Sequence, residues 1–410
     1  GTNSPVLNEG ELTKAVLDLS VNTFAVEAQA ETRASIPSNI PENETSEEKE
    51  VHNIWVFQYD AVTKELLIKP RYYTITDQIM LQDLPVYLKA GIPSFVYVVT
   101  NTGYDNWVND DTDTSWQKFK NLEQLKKQTL PTAFPLRSID KVSIPMVGAS
   151  EEVEVTTGIT VTVPVTRMYA KLKVKVEMLK AEMKLNNVNV RQIPNICRIE
   201  TFAGDGNGEP MNAVPFPDGT TFSSIAFAAS DLEKSEDKEW AVFYVPENLQ
   251  GEIENQGGNK SDAAPTNALV VDVTAEIGGE KYLYAAYPGG NSLNNFNIQR
   301  NQVYRMTLTI TGEKGQNNPS SNCFVVKPNG FLSFEPYYRV ETGGGYNFAD
   351  YLSPHDENLK IASVGIIWQT KDCIGDNTNG TLVQLGENTG DIHQKIYVRT
   401  QKKGNALIGA

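Results

Sequence analysis

The chain has 410 residues, which is long enough for two or three domains that each bury a core. Apolar residues make up 40% and charged residues 21%, a globular composition, and no run approaches the roughly 18 consecutive apolar residues of a membrane-spanning helix. The net charge of -15 argues against a nucleic-acid partner, because phosphate binding depends on clustered Lys and Arg.

The first predicted element is an amphipathic strand over residues 14–28. Its segment "KAVLDLSVN" alternates apolar and polar residues with the period of two that is typical of a half-buried strand. The alternation then resumes one residue out of step, which predicts a bulge near Thr23. The apolar face consists of Leu17, Leu19, Val21, Phe24 and Val26.

A polar stretch follows this strand. Residues Ser35 to Glu50 are rich in Pro, Asn, Ser and acids, which predicts an exposed linker. Arg33 is the only cation between Lys14 and Lys49. A surface Arg in a loop is ordinary, so the composition alone gives this residue no role.

The remaining pattern is dominated by strands. "NIWVFQYD" is apolar on both faces from Ile54 to Tyr59, which predicts a central strand covered on two sides. "RMYAKLKVKVEML" alternates, so the side chains of Lys171, Lys173 and Lys175 are expected on a solvated face. Further strands are predicted at "SFVYVVTN", "EWAVFYV", "NALVVDVTAEI", "VYRMTLTITG" and "IASVGIIWQ".

One helix is predicted, in "TSWQKFKNLEQLKKQ". Thr114 and Gln117 have the spacing of a capping box. The apolar side of this helix consists of Trp116, Phe119, Leu122 and Leu125. Many short strands with turns and few helices predict an all-β fold of antiparallel sandwiches.

Catalytic and cofactor signatures are missing from the sequence. His52, His355 and His393 have no nucleophile motif nearby and are interpreted as solvated or packed side chains. "GDGNGEP" lacks a following helix and is interpreted as a turn rather than a phosphate loop. "NDDTDTS" has Leu122 where a calcium loop needs Glu, so we expect a solvated acidic loop. We therefore predict no enzyme, no metal and no cofactor.

Three cysteines are too few for a disulfide scaffold. Cys323 and Cys373 are the pair that could form a disulfide, and Cys197 has no expected partner. The alternative is that these residues are small buried hydrophobic side chains.

Four stretches of this sequence resemble the fimbrillins, the major and minor fimbrial subunits of Bacteroides-type bacteria. They are "NIWVFQYD", "IPMVGASEEVEV" followed by "VPVTRMYAKLKVKV", "VFYVPENLQG" and "FNIQRNQVYRMTLTITG", and they span roughly residues 12–316. The last two are the most specific, because Glu247 and Asn248 after one strand combine with Arg300 and Asn301 before another.

The resemblance implies two transthyretin-like β-sandwich domains in tandem, at residues 51–166 and 167–316. Residues 1–50 would supply a strand that completes the first sandwich, followed by a cleavable linker. In the family, an Arg-specific protease removes the first strand and a neighbouring subunit donates a replacement. The matching cleavage site here is between Arg33 and Ala34.

The resemblance also implies export as a lipoprotein, assembly into a fimbrium at the outer membrane, and other fimbrial subunits as partners. This chain departs from the shaft subunits by a further β domain at residues 317–410, which resembles the C-terminal domain of larger fimbrillin-like proteins and is interpreted as lacking its final strand. We therefore expect a tip or accessory adhesin with a receptor or glycan as ligand. The alternative function is a surface glycan-binding lipoprotein that does not polymerise.

Overall fold

A computed structural model describes residues 7, 9–26, 43–103, 115–132, 136–200, 213–255, 260, 263–290, 293–310, 316–317, 328–334, 361–386 and 395–409. The described chain is mostly β-strand with two short α-helices, which confirms the all-β prediction. None of its helices is long and apolar enough to cross a membrane.

The N-terminal part of the chain forms a curled sheet of eight strands. The first ten strands are β1 (Leu12–Val21), β2 (Ala25–Val26), β3 (Asn53–Asp60), β4 (Arg71–Thr74), β5 (Leu84–Lys89), β6 (Pro93–Thr100), β7 (Thr129–Pro131), β8 (Met146–Ala149), β9 (Val153–Glu154) and β10 (Thr160–Arg167). Seven follow the order β4-β3-β6-β8-β10-β1-β5, and β9 pairs with β6. The two ends meet where Tyr73 Oη accepts a hydrogen bond from Tyr87 N at 3.0 Å. The sheet thus encloses a core of its own.

Strand β3 is buried on both faces, as its sequence predicts. Ile54 and Val56 face the core inside the curled sheet, and Trp55, Phe57 and Tyr59 belong to a second, larger core. Continuous apolar sequence is therefore explained by two different cores on opposite sides of one strand.

The predicted single helix is wrong, because the segment divides into two short helices. A 3-10 helix spans Ser115–Phe119 and α1 spans Leu122–Lys126. Asn121 between them has an extended backbone, and its side chain accepts a hydrogen bond from Gln124 N at 2.9 Å. This Asn starts a new helix. The predicted apolar face is confirmed, since all four of its side chains are buried in the larger core: Trp116, Phe119, Leu122 and Leu125.

A two-layer sandwich follows. Its elements are β11 (Tyr169–Met178), β12 (Lys184–Pro194), β13 (Ile196–Arg198), β14 (Phe222–Ala228), α2 (Ala229–Leu232), β15 (Trp240–Pro246), β16 (Val270–Ile277), β17 (Glu280–Ala286) and β18 (Gln302–Ile310). One sheet has the order β15-β11-β18-β2, the other has β14-β12-β16-β17, and β13 pairs with β7. Leu172 and Phe243 of the first sheet share the larger core with Val188 and Val271 of the second.

The N-terminal segment takes part in both the curled sheet and the sandwich. Strand β1 ends at Val21, and β2 pairs in parallel with β18, with Val26 opposite Val303. Phe24 is buried in the larger core rather than in the curled sheet. The prediction of one strand over residues 14–28 inside the first sandwich is therefore wrong for residues 22–26, and residues 27 and 28 lie outside the described residues. The phase slip marks a crossing between two sheets instead of a bulge.

The C-terminal strands pack on the outside of the sandwich. They are β19 (Gln316–Asn317), β20 (Phe331–Phe334), β21 (Gly365–Gln369), β22 (Val383–Leu385), β23 (Ile396–Arg399) and β24 (Ala406–Gly409), in the orders β19-β20-β23-β22 and β21-β24. Lys395 forms an ion pair with Glu280 at 2.6 Å, and Tyr397 Oη accepts from Lys281 N at 2.7 Å. These contacts attach the beginning of β23 to the first two residues of β17. The domain boundaries at residues 50, 166 and 316 stay a prediction.

Replacing Leu17 by Ala should destabilise the curled sheet. Leu17 is fully buried on β1, so the substitution removes apolar contacts and leaves a cavity, with an expected loss of about 2–5 kcal/mol in the free energy of unfolding. Urea unfolding followed by intrinsic fluorescence measures it. Ser20 is exposed on the same strand, and Ser20→Ala should change stability by less than ~0.5 kcal/mol. Equal effects of the two substitutions would contradict the packing of β1.

Candidate functional site: the N-terminal strand and its junction

Strand β1 lies between β5 and β10 and joins them. Its residues Leu12–Leu17 pair antiparallel with β5, and Val16–Val21 pair in parallel with β10. Ala15, Leu17 and Leu19 point into the core of the curled sheet and are almost fully buried. Without β1, that core would be open to solvent along the facing edges of β5 and β10.

Arg167 ends β10 two residues after Val165, the last residue that pairs with β1, and its side chain is fully buried. Its Nε donates to the carbonyl of Glu48 at 2.7 Å, and its Nη1 donates to the carbonyl of Asn22 at 3.1 Å. The same Nη1 lies 3.0 Å from Asn301 Oδ1 and 3.3 Å from a carboxylate oxygen of Glu44. Burial lowers the pKa of Arg167, and the Glu44 carboxylate partly offsets that shift.

Phe24 covers the flat face of this guanidinium. The Arg167 guanidinium carbon is 3.9 Å from the centre of the Phe24 ring, a cation–π contact in a buried setting. Phe24 N donates to Glu44 at 2.7 Å, and Asn301 Nδ2 donates to Thr23 O at 2.9 Å. Ala25 N donates to Asn301 O at 2.9 Å. The backbone from Thr23 to Ala25 is thus fixed by side-chain and main-chain hydrogen bonds.

Glu48 is 1% exposed although it lies in the acidic stretch that was predicted to be a linker. Its Oε1 accepts from Lys171 Nζ at 2.5 Å and from Tyr244 Oη at 2.7 Å. The prediction of an exposed linker is wrong at Glu48, and the prediction of a solvated Lys171 is wrong, because each buried charge has the other as its partner. Burial, and next the negative charge of Glu48, raise the pKa of Tyr244. We call the following set the junction cluster: Glu44, Glu48, Arg167, Lys171, Tyr244 and Asn301.

The two most specific sequence motifs meet beside this cluster. Arg300 binds Glu247 through two hydrogen bonds of 2.9 and 3.1 Å, and Arg300 is 7% exposed. Asn248 and Ile298 exchange backbone hydrogen bonds at 2.9 and 2.7 Å. The residues before β18 are therefore fixed to those after β15, and this positions Asn301 for its contacts with the N-terminal segment.

Several predicted site residues lie outside the described residues. These are Arg33, Ala34 and Cys323, together with His355, His393 and the glycine-rich turn. Cys197 and Cys373 are buried. The pairing of Cys323 with Cys373 stays a prediction, because Cys323 lies outside the described residues. His52 Nε2 lies 3.2 Å from a carboxylate oxygen of Glu50. Across the residues that the structure describes, no group of three His, Cys, Asp or Glu side chains is placed to hold a metal ion.

One family model and several solved structures are similar to this chain. A domain of unknown function, DUF4906, matches residues 243–308. The tip fimbrial protein Mfa3 from Porphyromonas gingivalis, solved with a C-terminal truncation, is similar at 16% identity and a TM-score of 0.44, over 74% of this chain and 97% of that one. A fimbrial assembly protein from Parabacteroides distasonis is similar at 14% identity and a TM-score of 0.42, over 74% and 93%.

No curated protein matches the chain. Both of these structures are fimbrial proteins, the class that the four sequence motifs resemble. At these scores the likeness carries no argument about function.

Replacing Lys171 by Met should destabilise the protein strongly, because Glu48 would keep its charge in a buried position without a cation. The expected loss is about 3–5 kcal/mol in the free energy of unfolding, measured by urea titration. Lys175 lies four residues further along β11 and pairs with Glu239 at the surface. Lys175→Met should therefore change the free energy of unfolding little. A small loss for Lys171→Met would show that the Glu48 pair is dispensable.

Proposed function

We propose that this chain is a fimbrial subunit whose first strand is removed by cleavage after Arg33 and replaced by a strand from a neighbouring subunit. The observation that carries the proposal is the position of β1: it precedes every other described strand and is inserted between β5 and β10. Its removal would interrupt no later connection of the fold. In this function the protein belongs to a cell-surface fimbrium of the outer membrane.

The physical basis is strand addition. Loss of β1 would leave unpaired backbone groups on β5 and β10 and an apolar groove where Ala15, Leu17 and Leu19 are now buried. An extended segment with apolar residues at alternate positions satisfies both needs. Other fimbrial subunits are therefore the partners that we propose for the groove.

The arginines favour cleavage at the proposed position. Arg33 lies in the stretch of chain between Val26, in β2, and Glu44, in the junction cluster. Four described arginines are almost fully buried and are poor protease sites: Arg167, Arg191, Arg300 and Arg399. Four others are half-buried and lie in or beside strands, where the backbone is less accessible to a protease: Arg71, Arg137, Arg198 and Arg305.

The C-terminal strands support a tip or accessory position. Strands β20, β22 and β23 pair with one another, and Lys395 and Tyr397 attach them to the sandwich of the same chain. A shaft subunit needs C-terminal strands that can enter the next subunit. Strands that are folded onto their own chain fit a position at the end of a fibre, with residues 317–410 making the adhesive contact.

A second candidate function is glycan binding by a surface protein that does not polymerise. Trp368 is 50% exposed and Ile367 is 62% exposed on the small β21–β24 sheet. They border an open depression that Asp376 and Asn377 also line. An exposed indole beside polar side chains is a suitable surface for stacking a sugar ring.

Limited digestion with an Arg-specific protease should cut first after Arg33, because the neighbouring sequence is polar and has little to bury. Intact-mass spectrometry identifies the product. Arg33→Gln should abolish this early cut, whereas the control Arg339→Gln should retain it. Early cuts at Arg71 or Arg137 with Arg33 intact would contradict strand release.

The same digestion separates the two candidate functions. A fimbrial subunit that accepts a replacement strand should bind an added donor peptide only after cleavage, which a rise in the melting temperature of the cut protein detects. A cleaved protein that does not bind the peptide and binds sugars supports the glycan-binding alternative instead.

Labelled fibres should show this chain at one end. Lys403 is exposed, and a gold label on Lys403→Cys should appear singly at fibre tips in electron micrographs, because the folded C-terminal strands block further donation. The unsubstituted chain, treated with the same reagent, controls for labelling of its own cysteines. Labels repeated along the shaft would refute the terminal position.

A further inference from the structure

We infer that the junction cluster forms a specificity pocket that selects donor strands by an aromatic side chain at the position that Phe24 now occupies. This inference rests on the proposed strand replacement. It adds a second recognition point outside the groove of the curled sheet, and it names the chemistry that the donor must carry there.

The pocket is built mainly from residues that remain after cleavage. Glu44, Glu48, Arg167 and Asn301 all follow Arg33 in sequence, so release of residues 1–33 would leave their contacts with one another in place. Arg167 would lose the Asn22 carbonyl and the ring of Phe24. The flat face of the buried Arg167 guanidinium would then be uncovered and could contact a side chain of the donor strand.

The charges of the pocket favour a neutral aromatic ring. Two cations face the present ring, with Arg167 at 3.9 Å and Lys171 Nζ at 5.8 Å from its centre. Both cations already have carboxylate partners in Glu44 and Glu48. A donor carboxylate would meet these two acids, and an aliphatic side chain would offer no negative ring face to the cations. An aromatic ring has no net charge for Glu44 and Glu48 to repel, and its negative face can lie against the two cations.

The backbone beyond the ring adds a further requirement. Ala25 and Val26 pair in parallel with Gln302 and Val303 at the edge of the sandwich. Phe24 lies five residues beyond Leu19, the last nearly fully buried position of β1. The matching donor is therefore an extended segment with alternating apolar residues, an aromatic residue five positions from the last of them, and two more extended residues.

Synthetic peptides test the pocket on the chain cut after Arg33, once the released segment has been separated in mild denaturant. The first probe is the peptide of residues 11–26 itself. Its Phe24→Ala version should bind about tenfold or more weakly, since it loses a buried ring, and its Phe24→Tyr version should bind within about threefold. Fluorescence anisotropy of labelled peptides gives the dissociation constants.

The controls test strand replacement and the aromatic pocket separately. A Leu17→Ala peptide should also bind weakly, because it loses contacts in the groove of the curled sheet. If none of the peptides binds the cut protein, the proposed strand replacement fails. If they bind but Phe24→Ala matches the parent peptide, replacement stands and the pocket is overturned.

A Phe24→Glu peptide provides one more outcome. We expect it to bind at least as weakly as the Phe24→Ala peptide, because Glu44 and Glu48 already neutralise the two cations. Binding as tight as that of the parent would show that the pocket selects negative charge, which overturns the aromatic assignment.

Discussion

The fold of this chain depends on one buried cation. A guanidinium that has left water is stable only when hydrogen-bond acceptors surround it. Arg167 Nε and Nη1 find acceptors at the carbonyls of Asn22 and Glu48 and at the side chain of Asn301, which belong to three separate parts of the sequence, whereas its buried Nη2 has no hydrogen-bond partner among the described residues. Because the N-terminal segment, the acidic stretch and the sandwich all bind this side chain, their relative positions are coupled. Whatever occupies the place of the N-terminal segment also affects how the curled sheet meets the sandwich.

Local periodicity predicts the strands and their faces well, because side-chain alternation is a property of the strand itself. The two-sided burial of β3 and the apolar face around Phe119 followed from sequence. The partner of a strand is a long-range property, and the sequence does not show it. The slip near Thr23 illustrates the difference, since a bulge and a crossing into another sheet both shift the alternation by one residue. Pairing of Val26 with Val303 distinguishes them.

The candidate site was predicted less well than the fold. Pattern reasoning assigns charged residues to solvent, which is correct for most of them. Glu48 and Lys171 are exceptions because each is buried against the other, and 122 intervening residues hide that relation. The motif "VPVTRMYAKLKVKV" contains both Arg167 and Lys171, and nothing in its spacing separates them from solvated cations. Glu247 and Arg300 belong to recognised motifs, but the sequence assigns them no role. Their direct contact in the structure supplies that role.

The pairing of β1 also limits what can drive its replacement. This strand is antiparallel to β5 and parallel to β10, and parallel pairing is slightly less stable per residue. A strand entering in the opposite direction would be parallel to β5 and antiparallel to β10. Reversal therefore exchanges the two kinds of pairing and gives no net gain in pairing stability. A replacement must therefore be favoured by longer pairing or by better packing, and the ring position against Arg167 is a place where packing differs between donors. Direction still matters there, because a reversed donor reaches the junction cluster with residues that precede its core strand.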